Sequence, residues 1–176
     1  IYDLCKFTAF KTKMPYCIVA TAPSMDGFAS SVAPLIVNNL KTTYEVGVAD
    51  AIIGDTKILS QAPMPMIMAG IADILGKYTC LTDWKMAQII NGEYYCEAIV
   101  QMVRTSLRAV AENLDKAAAR DEQTVGKIME ALVLTGIAMS FVGNSRPASG
   151  CEHHMSHYWE MKFLFEGRPA VLHGTK

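Results

Sequence analysis

All four histidines of this 176-residue chain lie between positions 153 and 173, and none precedes them. His153 and His157 are four apart in a stretch that reads as helix, so they share one face. His154 points about 100° away on the same helix. His173 follows Arg168-Pro169-Ala170-Val171-Leu172 and precedes Gly174, at the end of a connecting stretch. Two imidazoles on one helical face and a third delivered by a loop suit a divalent transition metal. The competing reading is a solvated surface pair. The pattern is not the HExxH of zinc proteases, because His154 stands in the Glu slot and Glu152 precedes the pair. An anionic ligand must then come from elsewhere in the chain. Asp73 is the odd residue in Met66-Ile67-Met68-Ala69-Gly70-Ile71-Ala72-Asp73-Ile74-Leu75-Gly76. A carboxylate buried unpaired in such a segment costs several kcal/mol, which metal ligation offsets. The alternative is that Asp73 faces solvent or pairs with Lys77 one turn on.

The elements that must position these groups change character along the chain. Residues 2–13 read as a helix ended by Pro15, and residues 17–21 as a wholly apolar strand of a sheet covered on both faces. Ala22-Pro23-Ser24-Met25-Asp26-Gly27 is a turn-forming cluster. Residues 35–37 and 41–46 flank Asn38-Asn39 as a hairpin, and residues 49–53 form a second buried strand closed by Gly54-Asp55. Strand-end loops are where open α/β sheets place ligands.

From Met66 the pattern is helical. One helix runs on through Trp84 and Ile89 to Asn91-Gly92, and a second carries a stripe from Tyr95 to Leu114. A third is capped by Thr124, and a fourth spans residues 152–165 after the loop at 143–150. The expected fold class is α/β plus all-α: a truncated Rossmann-like domain over 1–60, then a metal-binding helical domain over 61–176. Trp84 and the Tyr94-Tyr95 pair read as core or interface packing, and the eleven methionines as core filling.

Sixteen Lys and Arg against seventeen Asp and Glu leave no basic field to hold a phosphate backbone, so nucleic-acid binding is not expected. The longest uncharged runs hold fifteen residues, short of the roughly 18 that a membrane span needs. Five scattered cysteines without a CxxC pair point to a reducing, cytoplasmic setting, with the thiols expected to be small buried residues. The chain opens on Ile1 without an initiator Met or signal peptide, and reads as a piece of a longer protein.

Three segments carry a family resemblance: Thr21-Ala22-Pro23-Ser24-Met25-Asp26-Gly27, Ala69-Gly70-Ile71-Ala72-Asp73-Ile74-Leu75-Gly76-Lys77-Tyr78 and Gly150-Cys151-Glu152-His153-His154-Met155-Ser156-His157-Tyr158-Trp159-Glu160. With the closing Leu172-His173-Gly174, they resemble the sn-glycerol-1-phosphate dehydrogenases in family order. The wider group holds glycerol dehydrogenase, iron-dependent alcohol dehydrogenases and 3-dehydroquinate synthase. The resemblance implies a cleft between a nucleotide-binding and a helical domain, and a cytoplasmic homo-oligomer. It implies NAD- or NADP-dependent interconversion of dihydroxyacetone phosphate and sn-glycerol 1-phosphate, for lipid headgroup synthesis. It carries the metal ligands to Asp73, His153 and His173, with zinc, nickel or iron as the ion. Substrate positions fall on Asp26, Asp73 and His157, and dinucleotide positions on Asp3, Thr21, Ala22, Pro23, Ser24 and Ser30. The family's Gly-Gly pair would lie just before Ile1. Arg146, Lys77 and the amides of residues 149–152 are the candidates for the substrate phosphate, and His154 is expected to face solvent or support the ligands. The other readings are a glycerol or alcohol dehydrogenase, a lyase of the dehydroquinate synthase kind, and a non-catalytic metal-binding module.

Overall fold

A computed structural model describes residues 2–38, 40–169 and 171–175. The first helix, α1 (Tyr2–Thr12), packs on strand β2 (Val32–Val37) and is tied down by polar groups. The Tyr2 hydroxyl donates to the carbonyls of Gly27 and Phe28, and the buried Lys6 ammonium donates to the Val32 carbonyl at 2.7 Å. Strand β1 (Cys17–Ala20) pairs in parallel with β4 (Ala51–Gly54), Cys17 opposite Ala51 and Ala20 opposite Gly54. Between them, β2 pairs antiparallel with β3 (Leu40–Glu45), Val37 opposite Leu40. Asn38 takes φ 51°, the left-handed turn conformation that asparagine tolerates; its expected turn partner Asn39 lies outside the described residues. A 3-10 turn at Gly27–Ala29 leads into the hairpin.

The parallel strands correct one expectation. Ile18 and Ala20 are buried, but Cys17 and Val19 are exposed, as is Ile53 of β4. One face of the two-stranded sheet meets the helices and the other is uncovered, so an apolar run does not here mean burial on both sides. The cysteines differ likewise: Cys80 is buried, whereas Cys5, Cys17 and Cys151 are exposed. Methionine is not mainly core filling either, since Met129 lies in the core while Met14, Met68, Met86 and Met155 are exposed.

Asp55, expected only to close a strand, also caps a short helix, α2 (Thr56–Ser60), by accepting from the amides of Lys57 and Ile58. The long α3 (Met64–Asn91) begins two residues before the apolar stripe. Pro65 sits in its first turn, where a missing N–H costs nothing. Gly92, at φ 68°, closes it through a left-handed cap. The second stripe is broken: α4 (Glu97–Ala111) stops at Glu112, and α5 (Leu114–Ala118) restarts after Asn113. Helix α6 (Glu122–Val142) is capped by Asp121 rather than Thr124; Asp121 accepts from both the amide and the hydroxyl of Thr124. Helix α7 (Cys151–Phe165) follows, and a 3-10 turn at His173–Thr175 ends the described chain.

The larger apolar core joins Ile18, Ala20 and Phe28 to Leu59, Ile71, Ile128 and Leu132, so it draws on both sides of residue 60. A second cluster at the far end of α3 packs Cys80, Leu81 and Trp84 against Val100 and Val103. The Trp84 indole donates to the Tyr94 carbonyl at 2.7 Å and packs against Tyr95 with the rings tilted, while the Tyr94 side chain itself is 67% exposed and does not pack there. Helix α6 modifies the expectation drawn from uncharged runs. By length and composition it is apolar enough to cross a membrane, because its three charges, Glu122, Lys127 and Glu130, interrupt the runs without making the helix polar. In this fold that apolarity serves packing, with Val125, Ile128, Leu132 and Ala138 buried.

Candidate metal and substrate site

The site is assembled on one stretch of α3, from Ala69 to Asp73, where two other chain segments come into backbone contact. A Cβ placed on Gly70 would lie 1.9 Å from the Pro23 carbonyl oxygen. A Cβ on Gly174 would lie 1.9 Å from the Ala69 carbonyl oxygen and 3.1 Å from the Asp73 amide. Only glycine permits either approach. The first seats the loop after β1 on the helix; the second seats the turn that carries His173.

Within this junction Asp73 is buried, and its Oδ2 accepts the backbone N–H of Asp26 at 2.9 Å. Lys77 Nζ lies 2.8 Å from Asp73 Oδ1 and 2.8 Å from Asp26 Oδ2. The i,i+4 pairing of Asp73 with Lys77 that the sequence allows is therefore present, but buried and shared with a second carboxylate. Asp26 Oδ2 is fully buried and no hydrogen bond is aligned on it. Burial, reinforced by the charge of Asp26 and opposed by Lys77, raises the Asp73 carboxyl to about 6. Burial acts the same way on Asp26, yet the Lys77 ammonium outweighs it and holds that carboxyl below its usual range. Burial disfavours the Lys77 charge too, but the two carboxylates more than compensate and hold the ammonium above the usual lysine value. At pH 7 two buried anions thus face one buried cation.

The imidazoles gather beside them. His173 Nε2 lies 3.2 Å from His153 Nδ1, and the His153 ring centroid is 4.4 Å from that of His157 and 4.5 Å from that of His173. The Ser156 hydroxyl, buried on α7, donates to the His173 carbonyl at 3.2 Å and lies 3.5 Å from His173 Nδ1. Burial, followed by the neighbouring histidines, lowers His153 to about 3. Burial also lowers His173, to about 4, against the pull of the Asp26 charge. Both rings are neutral at pH 7, the protonation state a metal ligand requires. His154 is exposed and takes no part in the cluster.

This donor set fits a divalent ion. A tetrahedral ion with metal–nitrogen bonds of about 2.0–2.1 Å holds two nitrogens roughly 3.3 Å apart, close to the 3.2 Å found between His153 and His173. The excess negative charge on Asp26 and Asp73 supplies the electrostatic demand. Among the described residues, the three donors that already lie within 4.8 Å of one another are a different set, Asp83, Cys151 and Glu152. Asp73 is engaged with Lys77 and the Asp26 amide rather than converged on the imidazoles.

Of the dinucleotide positions, Thr21 is exposed, Ala22 and Ser24 are half-buried, and Pro23 is buried against Gly70, all just beyond the C-terminal end of β1. Ser30 is buried, its hydroxyl accepting from the Val32 amide at 3.2 Å. Asp3 is half-buried in the first turn of α1. The phosphate candidates fare worse. Lys77 is enclosed between two carboxylates, and Arg146 grips Glu93 through two bonds of 2.6 and 2.8 Å. The amides of Ser149, Gly150 and Cys151 are spent on the Ser145 carbonyl, Glu152 and Asp83. Each of these groups already has a local partner. Sequence reasoning missed Lys41, on β3, which reaches the His157 ring at 2.7 Å. Its separation from His157 along the chain hid it.

A parallel strand pair ending in a turn, a long helix bearing a buried aspartate, and histidines gathered beside it are the features to set against the iron-containing alcohol dehydrogenases. That family matches residues 1–63. The chain is also similar to the glycerol-1-phosphate dehydrogenases. It is 44% identical over all 176 residues to the glycerol-1-phosphate dehydrogenase (NAD(P)+) of Geobacillus thermodenitrificans, covering 44% of that protein. It is 39% identical over 174 residues, 99% of the chain, to the enzyme of the same name from Methanosarcina acetivorans, covering 48% of it. The chain thus spans about half the length of the curated relatives it matches. In structure, 91% of it superposes on 47% of a probable glycerol dehydrogenase from Sinorhizobium meliloti 1021, with a TM-score of 0.70 at 20% identity. The fold is a partial Rossmann-like domain joined to a helical one.

Proposed function

We propose that the whole protein interconverts dihydroxyacetone phosphate and sn-glycerol 1-phosphate with NAD or NADP, using one divalent metal held by Asp73, His153 and His173. The observation that carries this is the neutral His153–His173 pair at 3.2 Å beside two buried carboxylates that share one lysine. The relatives' names supply the substrate and the dinucleotide. When bound, the ion supplies Lewis-acid polarisation of the carbonyl oxygen and the dinucleotide supplies or takes the hydride.

The chain's residues do the rest. Asp73, held by Lys77 and the Asp26 amide, offers an oriented carboxylate. Ser156 fixes the turn that presents His173. Asp26 and His157 are the groups that hold the substrate's hydroxyls and set which carbon face meets the nicotinamide. In reduction the carbonyl carbon gains a hydride and its oxygen gains a proton. His157, partly exposed beside His153, is the group placed to pass that proton. Thr21, Ala22, Pro23, Ser24, Ser30 and Asp3 line the dinucleotide side, where the strand-end turn is fixed by its contact with Gly70. Residues 1–60 form the nucleotide-binding part, and residues 61–176 the metal and substrate part.

The test is oxidation of NADH and NADPH by the whole protein, with dihydroxyacetone phosphate or dihydroxyacetone as acceptor, before and after chelation. Metal-dependent turnover that requires the phosphate, and that is lost in Asp73→Ala and His153→Ala, is expected. Turnover with dihydroxyacetone alone moves the protein to the glycerol dehydrogenase side of the group. No turnover with either, in a protein holding stoichiometric metal, sinks the reductase reading.

A further inference from the structure

We propose that Lys41 is a positioning residue that sets the tautomer of His157, so that His157 meets the substrate as an Nε2–H donor. The inference rests on the reading above that His157 is a substrate-contacting group. Lys41 lies on β3, and its side chain crosses to α7, 116 residues along the chain from His157 and 119 from Glu160. There the ammonium is 2.7 Å from His157 Nδ1 and 2.5 Å from Glu160 Oε2. It is largely enclosed, the Lys41 side chain being 14% exposed.

An ammonium has three N–H donors and no acceptor. At 2.7 Å from it, His157 Nδ1 must accept, because a proton on Nδ1 would point an N–H at a cation. A neutral imidazole carries a single ring proton, which is therefore on Nε2. The competing partner for Nδ1 is the Glu160 carboxylate. It lies 3.4 Å away, a weak distance for a hydrogen bond, and its short contact is with Lys41. The order is thus carboxylate, ammonium, imidazole. Glu160 offsets the cost of enclosing the Lys41 charge, and Lys41 fixes the ring.

The consequence is directional. With Nδ1 bound to Lys41, the free edge of the His157 ring presents an N–H, which suits an oxygen that gains negative charge during reduction. The opposite tautomer would present a lone pair to the same oxygen and repel it. Replacing Lys41 leaves Glu160 as the neighbour of Nδ1, and a carboxylate favours the Nδ1–H form.

The tautomer can be read without turnover, by nitrogen NMR of the metal-loaded whole protein labelled with ¹⁵N-histidine, with His157→Gln used to assign the ring. An unprotonated Nδ1 and a protonated Nε2 are expected in the wild type. Lys41→Met is expected to move the proton toward Nδ1, while Lys41→Arg retains the wild-type pattern. In turnover of dihydroxyacetone phosphate, Lys41→Met is expected to lower kcat about 10- to 100-fold at unchanged metal content, with Lys41→Arg recovering much of it. A wild-type ring protonated on Nδ1 overturns the proposal, as does a Lys41→Met protein with unchanged tautomer or unchanged kcat. Should Lys41→Met fail to fold, the wild-type and Lys41→Arg spectra still decide. If the tautomer follows Lys41 in a protein that does not reduce dihydroxyacetone phosphate, the tautomer assignment holds and the functional reading alone is lost.

Discussion

Lys77 holds together two carboxylates that cannot both be charged and buried without it. Removing it leaves Asp26 and Asp73 as uncompensated neighbours, a loss of about 3–5 kcal/mol by analogy with broken buried pairs. Lys77→Met is expected to lower the chemical-denaturation midpoint of the metal-free protein sharply. Added zinc should restore part of the loss by taking over the lysine's charge. An unchanged midpoint would mean that the two carboxylates do not depend on Lys77. Lys6 poses a second question at this scale. It is completely buried, and burial lowers its ammonium to about 8, with Asp3 opposing. The unfolded chain therefore holds more protons than the folded one between about pH 8 and 10.5. Stability from this group rises with pH across that window and is lost as pH falls through about 8. The wild type should gain on the order of 3 kcal/mol over Lys6→Met between those limits. Urea denaturation of both proteins at pH 7.5 and 10.5 measures it, and parallel curves would deny the shift.

At the scale of elements, α3 acts as a platform, and its glycines decide what rests on it. Gly70→Ala drives a methyl group into the Pro23 carbonyl, so either the loop after β1 lifts or the helix shifts. A destabilisation of about 1–3 kcal/mol is expected. Because that loop carries Thr21, Ala22 and Ser24, KM for the dinucleotide should rise more than kcat falls. Steady-state kinetics with varied NADH separates the two, and a change confined to kcat would contradict this placement of the loop. The caps are simpler. Asp121 holds both the amide and the hydroxyl of Thr124 at the start of α6, and Asp121→Ala should cost about 1 kcal/mol. Thr124 carried a plausible capping signal, yet Asp121 is the cap because its carboxylate reaches two donors three residues on. The break between α4 and α5 was hidden for a related reason. The apolar stripe continues through it, but Asn113 turns its amide back on the Ala109 carbonyl.

For the molecule as a whole, the imidazoles, the aspartates and the hairpin lysine come from five regions of sequence and meet only when α3, α7, the β1 turn, the hairpin and the turn carrying His173 dock. Metal binding should therefore stabilise the whole protein by mass action. Chelation is expected to lower Tm in the wild type and to leave Tm unchanged in His153→Ala. An equal drop in both would place the bound metal elsewhere.

Much of this was readable in the chain. The hairpin followed from Asn38-Asn39 and the strand-like segments on either side, the long helix from its period of 3.6 and its closing Gly92, and the candidate ligands from histidine spacing and one aspartate in an apolar stretch. These are local properties, set by backbone sterics and periodicity within a few residues, so sequence by itself determined them. The sequence could not say that Lys77 would be sealed between Asp26 and Asp73, or that Arg146 would be taken by Glu93. Nor could it show Lys41 reaching His157 across the fold, or one face of β1 lying open. Each depends on which distant group arrives at short range. Coulomb energy and burial act on distance in space rather than along the chain, so only the tertiary structure decided them.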